Sequence, residues 1–168
     1  GVVNENVGAA FDAGAVHVVL GTMNGLAVPG NYLWHQDVQG MENAAEQDDR
    51  FGSSLASGDF DHDGFDDLAV GIRFEDNGAI VNSGAVHVIY GAGGGLNVAG
   101  NWFFHQNTPG MIEETELDHE FGHALTVDYF DGEGYDDLPR AVHQEDIGAE
   151  VETQRGIGES PQHDARVV

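Results

Sequence analysis

Gly14-Ala-Val-His-Val-Val-Leu-Gly returns as Gly84-Ala-Val-His-Val-Ile-Tyr-Gly, 70 residues later. The same offset carries Gly25-Leu-Ala-Val-Pro-Gly-Asn onto Gly95-Leu-Asn-Val-Ala-Gly-Asn, Trp34-His35-Gln36 onto Phe104-His105-Gln106, and Phe51-Gly52 onto Phe121-Gly122. Between residues 14–36 and 84–106, 13 of 23 positions are identical and no gap is needed. A constant offset means tandem structural units, each stacked on the next because none buries its hydrophobic surface alone. Any fold for this chain must set like elements side by side once per repeat.

Each unit reads as four short strands. In the central copy, strand A covers about residues 52–58, strand B 68–72, strand C 85–90 and strand D 101–105. Turn residues such as Asn77-Gly78 and Gly93-Gly94-Gly95 separate them. Strand C, Ala-Val-His-Val-Ile-Tyr, is almost continuously apolar, which predicts cover on both faces. No segment sustains a helical period, so little or no helix is expected. The expectation is an all-β fold of four-stranded propeller blades, about two of them in 168 residues.

Between strands A and B lies Asp59-Phe60-Asp61-His62-Asp63-Gly64-Phe65-Asp66-Asp67. Carboxylates stand at its first, third, fifth and ninth positions, with Gly64 at the sixth, where a sharp turn needs positive φ. Ca²⁺ takes six to eight hard oxygen ligands in a flexible shell. Asp59, Asp61, Asp63 and Asp67 are the candidate side-chain ligands, and Phe65 offers its backbone carbonyl. The plain alternative is a solvated acidic turn. An EF-hand fits worse, because Val70 stands where its twelfth-position Glu would be.

Phe51-Gly52, the run from Gly58 through Gly71, and Gly84-Ala-Val-His-Val-Ile-Tyr-Gly together resemble the FG-GAP repeat. That repeat builds the propeller of integrin alpha subunits and occurs in many secreted bacterial proteins. The resemblance covers roughly residues 1–150. It implies that the loop between the first two strands of a blade binds Ca²⁺ through Asp59, Asp61, Asp63, Phe65 and Asp67. The usual Gly-Ala-Pro after the second strand is Gly71-Ile72-Arg73 here, a departure that bears on blade packing more than on metal binding.

One repeat further on, the loop is weaker. Tyr129 replaces the first carboxylate, and Asp131, Glu133, Tyr135 and Asp137 stand at the remaining ligand positions. Asp128 lies one residue early and reaches inward only if the backbone shifts. The alternative is a degenerate loop that keeps its turn through Gly134 and loses the ion.

The chain runs out of phase with the blade. Residues 1–153 form the repeat region, with a half blade in 1–50, a full blade in 51–107 and a half blade in 121–142; residues 154–168 read as an irregular tail. Propellers close with about four to eight blades. The chain is therefore expected either to be a piece of a longer propeller or to close a head-to-tail homo-oligomer.

Thirty acidic residues against five basic ones give a net charge of −25. Nucleic acid and anionic membrane surfaces are thus excluded as expected partners. The acidity, the lack of cysteine and the calcium loop fit an extracellular or cell-surface setting, with a bacterial secreted protein the best match. No Gly-x-Ser-x-Gly elbow, His-Glu-x-x-His motif, phosphate loop or Cys nucleophile is present, so no enzyme is expected. His17 and His87 read as structural strand residues. His35 and His105, beside Trp34 and Phe104, read as blade packing or as a sugar-stacking surface; His119 and His123 fit no familiar metal spacing. Two function classes follow. One is a noncatalytic calcium-binding propeller module for adhesion or protein binding. The other is an accessory or carbohydrate-binding propeller of a secreted hydrolase or lectin. The protein or glycan ligand is not named by the sequence.

Overall fold

The computed structural model describes residues 1–112, 114–128, 136–138 and 140–141, with backbone alone at 28–30 and 140–141. Asp131, Glu133 and Tyr135 of the second loop, and the tail 154–168, lie outside these residues.

The chain is all-β, and the described residues contain no helix. Strands β1 (Val16–Thr22) and β2 (Gly25–Trp34) form an antiparallel pair. Strands β3 (Phe51–Gly58), β4 (Asp67–Ile72), β5 (Ala85–Ile89) and β6 (Trp102–Phe104) form a four-stranded antiparallel meander. Strands β7 (Ala124–Leu125) and β8 (Arg140–Ala141) form a second pair. This is the geometry of propeller blades, as the alternation and turn spacing require.

The repeat extends to backbone detail. Val2 bridges Ala15 as Ile72 pairs with Ala85, so the first residues hold the register of the end of a β4-like strand. Asp128 bridges Asp137 as Gly58 pairs with Asp67. Positive φ recurs one repeat apart at Asp12 and Asn82, Gly14 and Gly84, Asp48 and Asp118, and Gly52 and Gly122.

The central sheet is buried on both sides because side chains alternate along each strand. One face of β4 and β5 contributes Val70, Ile72, Ala85 and Ile89, which pack with Val16, Trp34 and Phe51. The other contributes Ala69, Val86 and Val88, which pack with Phe60, Phe104, Phe121 and Leu138. All five residues of β5 are buried, as its apolar run predicts.

Neighbouring sheets touch through glycine. Phe51 N–H donates to Ala13 O at 2.7 Å, and Phe121 N–H donates to Ser83 O at 2.8 Å. A Cβ on Gly84 would fall on the backbone of Phe121, and one on Gly122 would lie 2.6 Å from Ala85 O. Ser54 Oγ donates to Gly122 O at 2.6 Å across the same junction. The Phe-Gly and Gly-Ala pairs of the repeat are thus the two halves of one close backbone contact.

Burial separates equivalent residues. His87 is fully buried, and its Nε2 bonds Asn101 Oδ1 at 2.6 Å. Burial lowers its pKa, only partly offset by Asn101. His17, its equivalent in β1, is exposed, because β1 has no described strand on its outer edge. Replacing His87 with Ala should destabilise the chain by about 2–4 kcal/mol, since it leaves a cavity and removes the buried hydrogen bond to Asn101, whose Oδ1 keeps only Glu42 N–H at 3.1 Å. Urea unfolding of His87→Ala beside His17→Ala measures it, and the exposed site should shift by less than about 0.5 kcal/mol.

Candidate metal centre

The β3–β4 loop folds around its own acids. Asp59 Oδ1 accepts from Asp63 N–H at 3.1 Å and its Oδ2 from Gly64 N–H at 3.1 Å. Asp61 Oδ1 also accepts from Asp63 N–H at 3.2 Å. Positive φ at His62 (63°) and Gly64 (90°) makes the two turns that aim these amides inward. Below the loop, Asp67 Oδ2 accepts from Phe60 N–H at 2.8 Å and its Oδ1 from Gly91 N–H at 2.7 Å.

The result is a convergence of three carboxylates. One oxygen from each of Asp59, Asp61 and Asp67 lies within 4.8 Å of the other two. Asp67 is buried and Asp61 is exposed, so the group opens from the sheet end toward solvent. Burial raises the Asp67 pKa; the Gly91 and Phe60 amides oppose that, and the charges of Asp61 and Asp59 add to it. Three acids whose partners among the described residues are backbone amides, at a spacing that one cation can bridge, fit a hard divalent ion.

Asp63 does not join this group. Its Oδ1 accepts Phe65 N–H at 2.9 Å, which closes the turn over Gly64. Phe65 is half-exposed, and its ring lies near Gly93. Of the second loop, the described residues include only the rim: Asp137 is buried, and Asp128 and Asp137 exchange backbone hydrogen bonds at 3.3 and 2.9 Å. Asp128 therefore serves as a strand residue at the loop mouth. Asp136 reaches back across the sheet junction, and its Oδ2 accepts Asp59 N–H at 2.9 Å. Sequence spacing did not reveal that contact, because it joins two repeats rather than closing one.

A cleft of about 850 Å³ adjoins the loop, walled by Asp61, Asp63, Tyr90, Asn97 and Trp102 among others. The Trp102 ring stacks on Phe104 with centroids 4.4 Å apart. His35 and His105 are half-buried, and His105 Nδ1 bonds Asn77 Nδ2 at 2.6 Å. His119 Nε2 pairs with Glu116 at 3.1 Å, and His123 Nδ1 with Glu120 at 3.3 Å.

Comparison with known proteins agrees with this geometry. The FG-GAP repeat profile matches residues 51–89, from the start of β3 to the end of β5. Integrin alpha-5 of Xenopus laevis is 38% identical over 111 residues, covering 62% of this chain and 9% of that protein. Phosphatidylinositol-glycan-specific phospholipase D of Rattus norvegicus is 35% identical over 82 residues, 49% of this chain and 10% of that protein. The mouse phospholipase is 37% identical over the same length. The chain spans about a tenth of the length of the curated relatives it matches.

Proposed function

We propose that this chain, an FG-GAP repeat protein of the integrin alpha-like type, is a noncatalytic calcium-binding propeller module for extracellular adhesion or protein binding. The observation that carries the reading is the convergence of Asp59, Asp61 and Asp67. These three would hold Ca²⁺; Asp63, whose carboxylate closes the turn through Phe65 N–H in this structure, and the Phe65 carbonyl would complete the shell once an ion draws them in. The cation would cancel the repulsion among the carboxylates and fix the loop that joins β3 to β4. In the second loop Asp131, Glu133, Tyr135 and Asp137 would form a weaker copy. The integrin relative supports a location outside the cell or on its surface.

Calorimetry tests the metal. Wild type should bind Ca²⁺, and Asp59→Asn with Asp61→Asn should weaken the binding by about a hundredfold or more, because ligand charge sets affinity in such loops. Unchanged binding in the double variant would overturn the assignment. Saturation at a hundredfold excess should stabilise the fold by about 2.7 kcal/mol, if the unfolded chain does not bind. Superimposable melts in EGTA and in Ca²⁺ at fixed ionic strength would remove the structural role.

A second reading rests on the phospholipase relatives and on the cleft beside the loop. Trp102 and Tyr90 offer aromatic faces next to Asn97 and two carboxylates, a composition suited to a sugar ring. An accessory or carbohydrate-binding propeller of a hydrolase or lectin would use it. Glycan-array binding that disappears in Trp102→Ala would favour this reading over the first.

Assembly follows from the open half blade. Val19, Leu20, Leu26, Tyr32 and Leu33 of the β1–β2 pair are exposed. Strand edges and apolar faces of this kind invite pairing. The chain alone should associate head to tail at micromolar concentration, unless further propeller sequence covers the pair. Light scattering that shows a monodisperse monomer with β1 amides strongly protected would contradict this.

A further inference from the structure

Between the first pair and the central sheet lies a buried polar cluster that the metal loop does not use. Gln36, which follows β2, Asp49, which precedes β3, and Glu75, which follows β4, are each no more than 2% exposed. Gln36 Nε2 donates to Glu75 Oε2 at 2.7 Å, and Asn43 Nδ2 donates to Glu75 Oε1. Asp49 Oδ2 accepts from Glu46 N–H at 2.6 Å. Two carboxylates thus share one dry site, and among the described residues no ion pair joins either to a cation. Arg50 and Arg73 are near in sequence, but their guanidinium groups lie over the Phe74 ring, at 4.7 and 4.6 Å from its centroid. Arg73 is further held by Glu120 at 2.7 Å.

The next repeat shows what the cluster lacks. There Gln106 is the counterpart of Gln36, and His119 is the counterpart of Asp49. His119 Nδ1 bonds Gln106 Oε1 at 3.1 Å. At the first junction the imidazole is replaced by a carboxylate, and among the described residues the buried Gln36 Oε1 has no hydrogen-bond partner. A buried amide oxygen without a donor is costly, and so is a pair of adjacent buried anions. One proton on the acid pair relieves both, because a protonated Asp49 carboxyl becomes a donor toward the Gln36 amide.

We propose that Asp49 and Glu75 form a proton-binding site that closes the junction between the β1–β2 pair and the central sheet while it holds one proton, and loosens it when that proton leaves. Burial pushes Glu75 up to about 8, and the Asp49 charge adds to the push. Burial likewise pushes Asp49 up to about 6, with Glu46 and Asp76 adding repulsion and with hydrogen bonding to Glu46 N–H and the Gln36 amide opposing it. The proton belongs to the pair rather than to one residue. The other titratable groups facing the site are the acids Glu46 and Asp76 and His105, which shares a cavity of about 330 Å³ with Asn43, Glu75 and Asp76. Burial lowers its pKa, so it offers no compensating charge. The folded chain binds more protons here than the unfolded chain does. Stability from this site is therefore full below the ordinary carboxylate values of 3.8 and 4.5 and is lost as pH rises from there through about 6 to about 8. That is the reverse of an ion-paired carboxylate.

Carbon-detected NMR of the carboxyl groups, with amide exchange on the same sample, tests this. In the wild-type chain carboxyl signals should titrate at about pH 6 and about pH 8, and the upper one should vanish in Glu75→Gln. Protection of Phe74 N–H, which donates to Asp49 O at 3.1 Å, should fall by about tenfold or more over that span once intrinsic exchange is removed. In Glu75→Gln it should hold within about twofold, because turning the Gln36 amide restores every partner. Should that variant fail to fold, the wild-type titration decides alone. The midpoint should be the same in EGTA and in excess Ca²⁺, whether or not the loop binds the ion. Carboxyls that all titrate below about pH 5, a pH dependence retained in Glu75→Gln, or a midpoint that moves with Ca²⁺ would each overturn the proposal.

Discussion

Gly84→Ala should destabilise the chain by more than about 3 kcal/mol. Two costs act together. The backbone at Gly84 has φ of 78°, a region where a Cβ is strained. The added methyl would also fall on the amide and carbonyl of Phe121, well under 3.0 Å. Neither neighbour is a side chain that can swing aside. Relief requires parting β5 from the chain entering the next sheet, which breaks the Phe121 N–H to Ser83 O bond and uncovers the apolar face behind it. Gly94→Ala is the control, since nothing lies within 4 Å of its added Cβ and its φ is ordinary; it should stay within about 0.5 kcal/mol. Chemical unfolding of the two variants side by side measures the difference. Equal midpoints would show that the backbone contact is not a source of cohesion.

Phe51→Ala should cost about 3–5 kcal/mol, the range for emptying a buried aromatic site. Phe51 is fully buried and belongs to the cluster that joins the first pair to the central sheet. Its ring meets His87 edge-on at 6.4 Å between centroids. Its amide is already committed to Ala13 O, so the neighbouring backbone is held in place and collapse into the cavity is limited. Small domains have about 5–15 kcal/mol in all, and the loss is enough to leave the first pair detached. Leu26→Ala, on an exposed strand position, should move the unfolding midpoint far less. A Phe51→Ala chain that keeps the wild-type midpoint would mean that the two sheets are stable without packing on one another.

The fixed offset made the strands legible. Predicted and observed strands of the central sheet agree to within a residue or so at each end, because alternation, turn glycines and a gapless repeat all point the same way. The acid loop was legible as a cluster, since alternating carboxylates around Gly64 leave few other conformations. Its division of labour was not legible. Asp63 has the same side chain and spacing as Asp61, yet its carboxylate caps the turn through Phe65 N–H, a choice made by local backbone geometry. Burial was harder still. Asp49 and Glu75 look like solvated acids in a chain of net charge −25, and only the closing of two sheets takes them from water. His17 and His87 are identical in local sequence and opposite in exposure, because exposure depends on which strand lies alongside.

The glycine contacts bear on how the chain is made. Two of the hydrogen bonds that tie one sheet to the next link residues 68 and 77 positions apart, at Ser54–Gly122 and Asp59–Asp136. Loops of this length close with little more entropy than loops half as long. Each sheet therefore needs only the following repeat, not a distant terminus, to cover its open face. During synthesis a sheet emerging first would wait exposed for one repeat and then be capped. The acid loop between β3 and β4 sits at that seam, with Asp59 N–H held by Asp136 of the next repeat, so its final shape is set only when the following unit arrives.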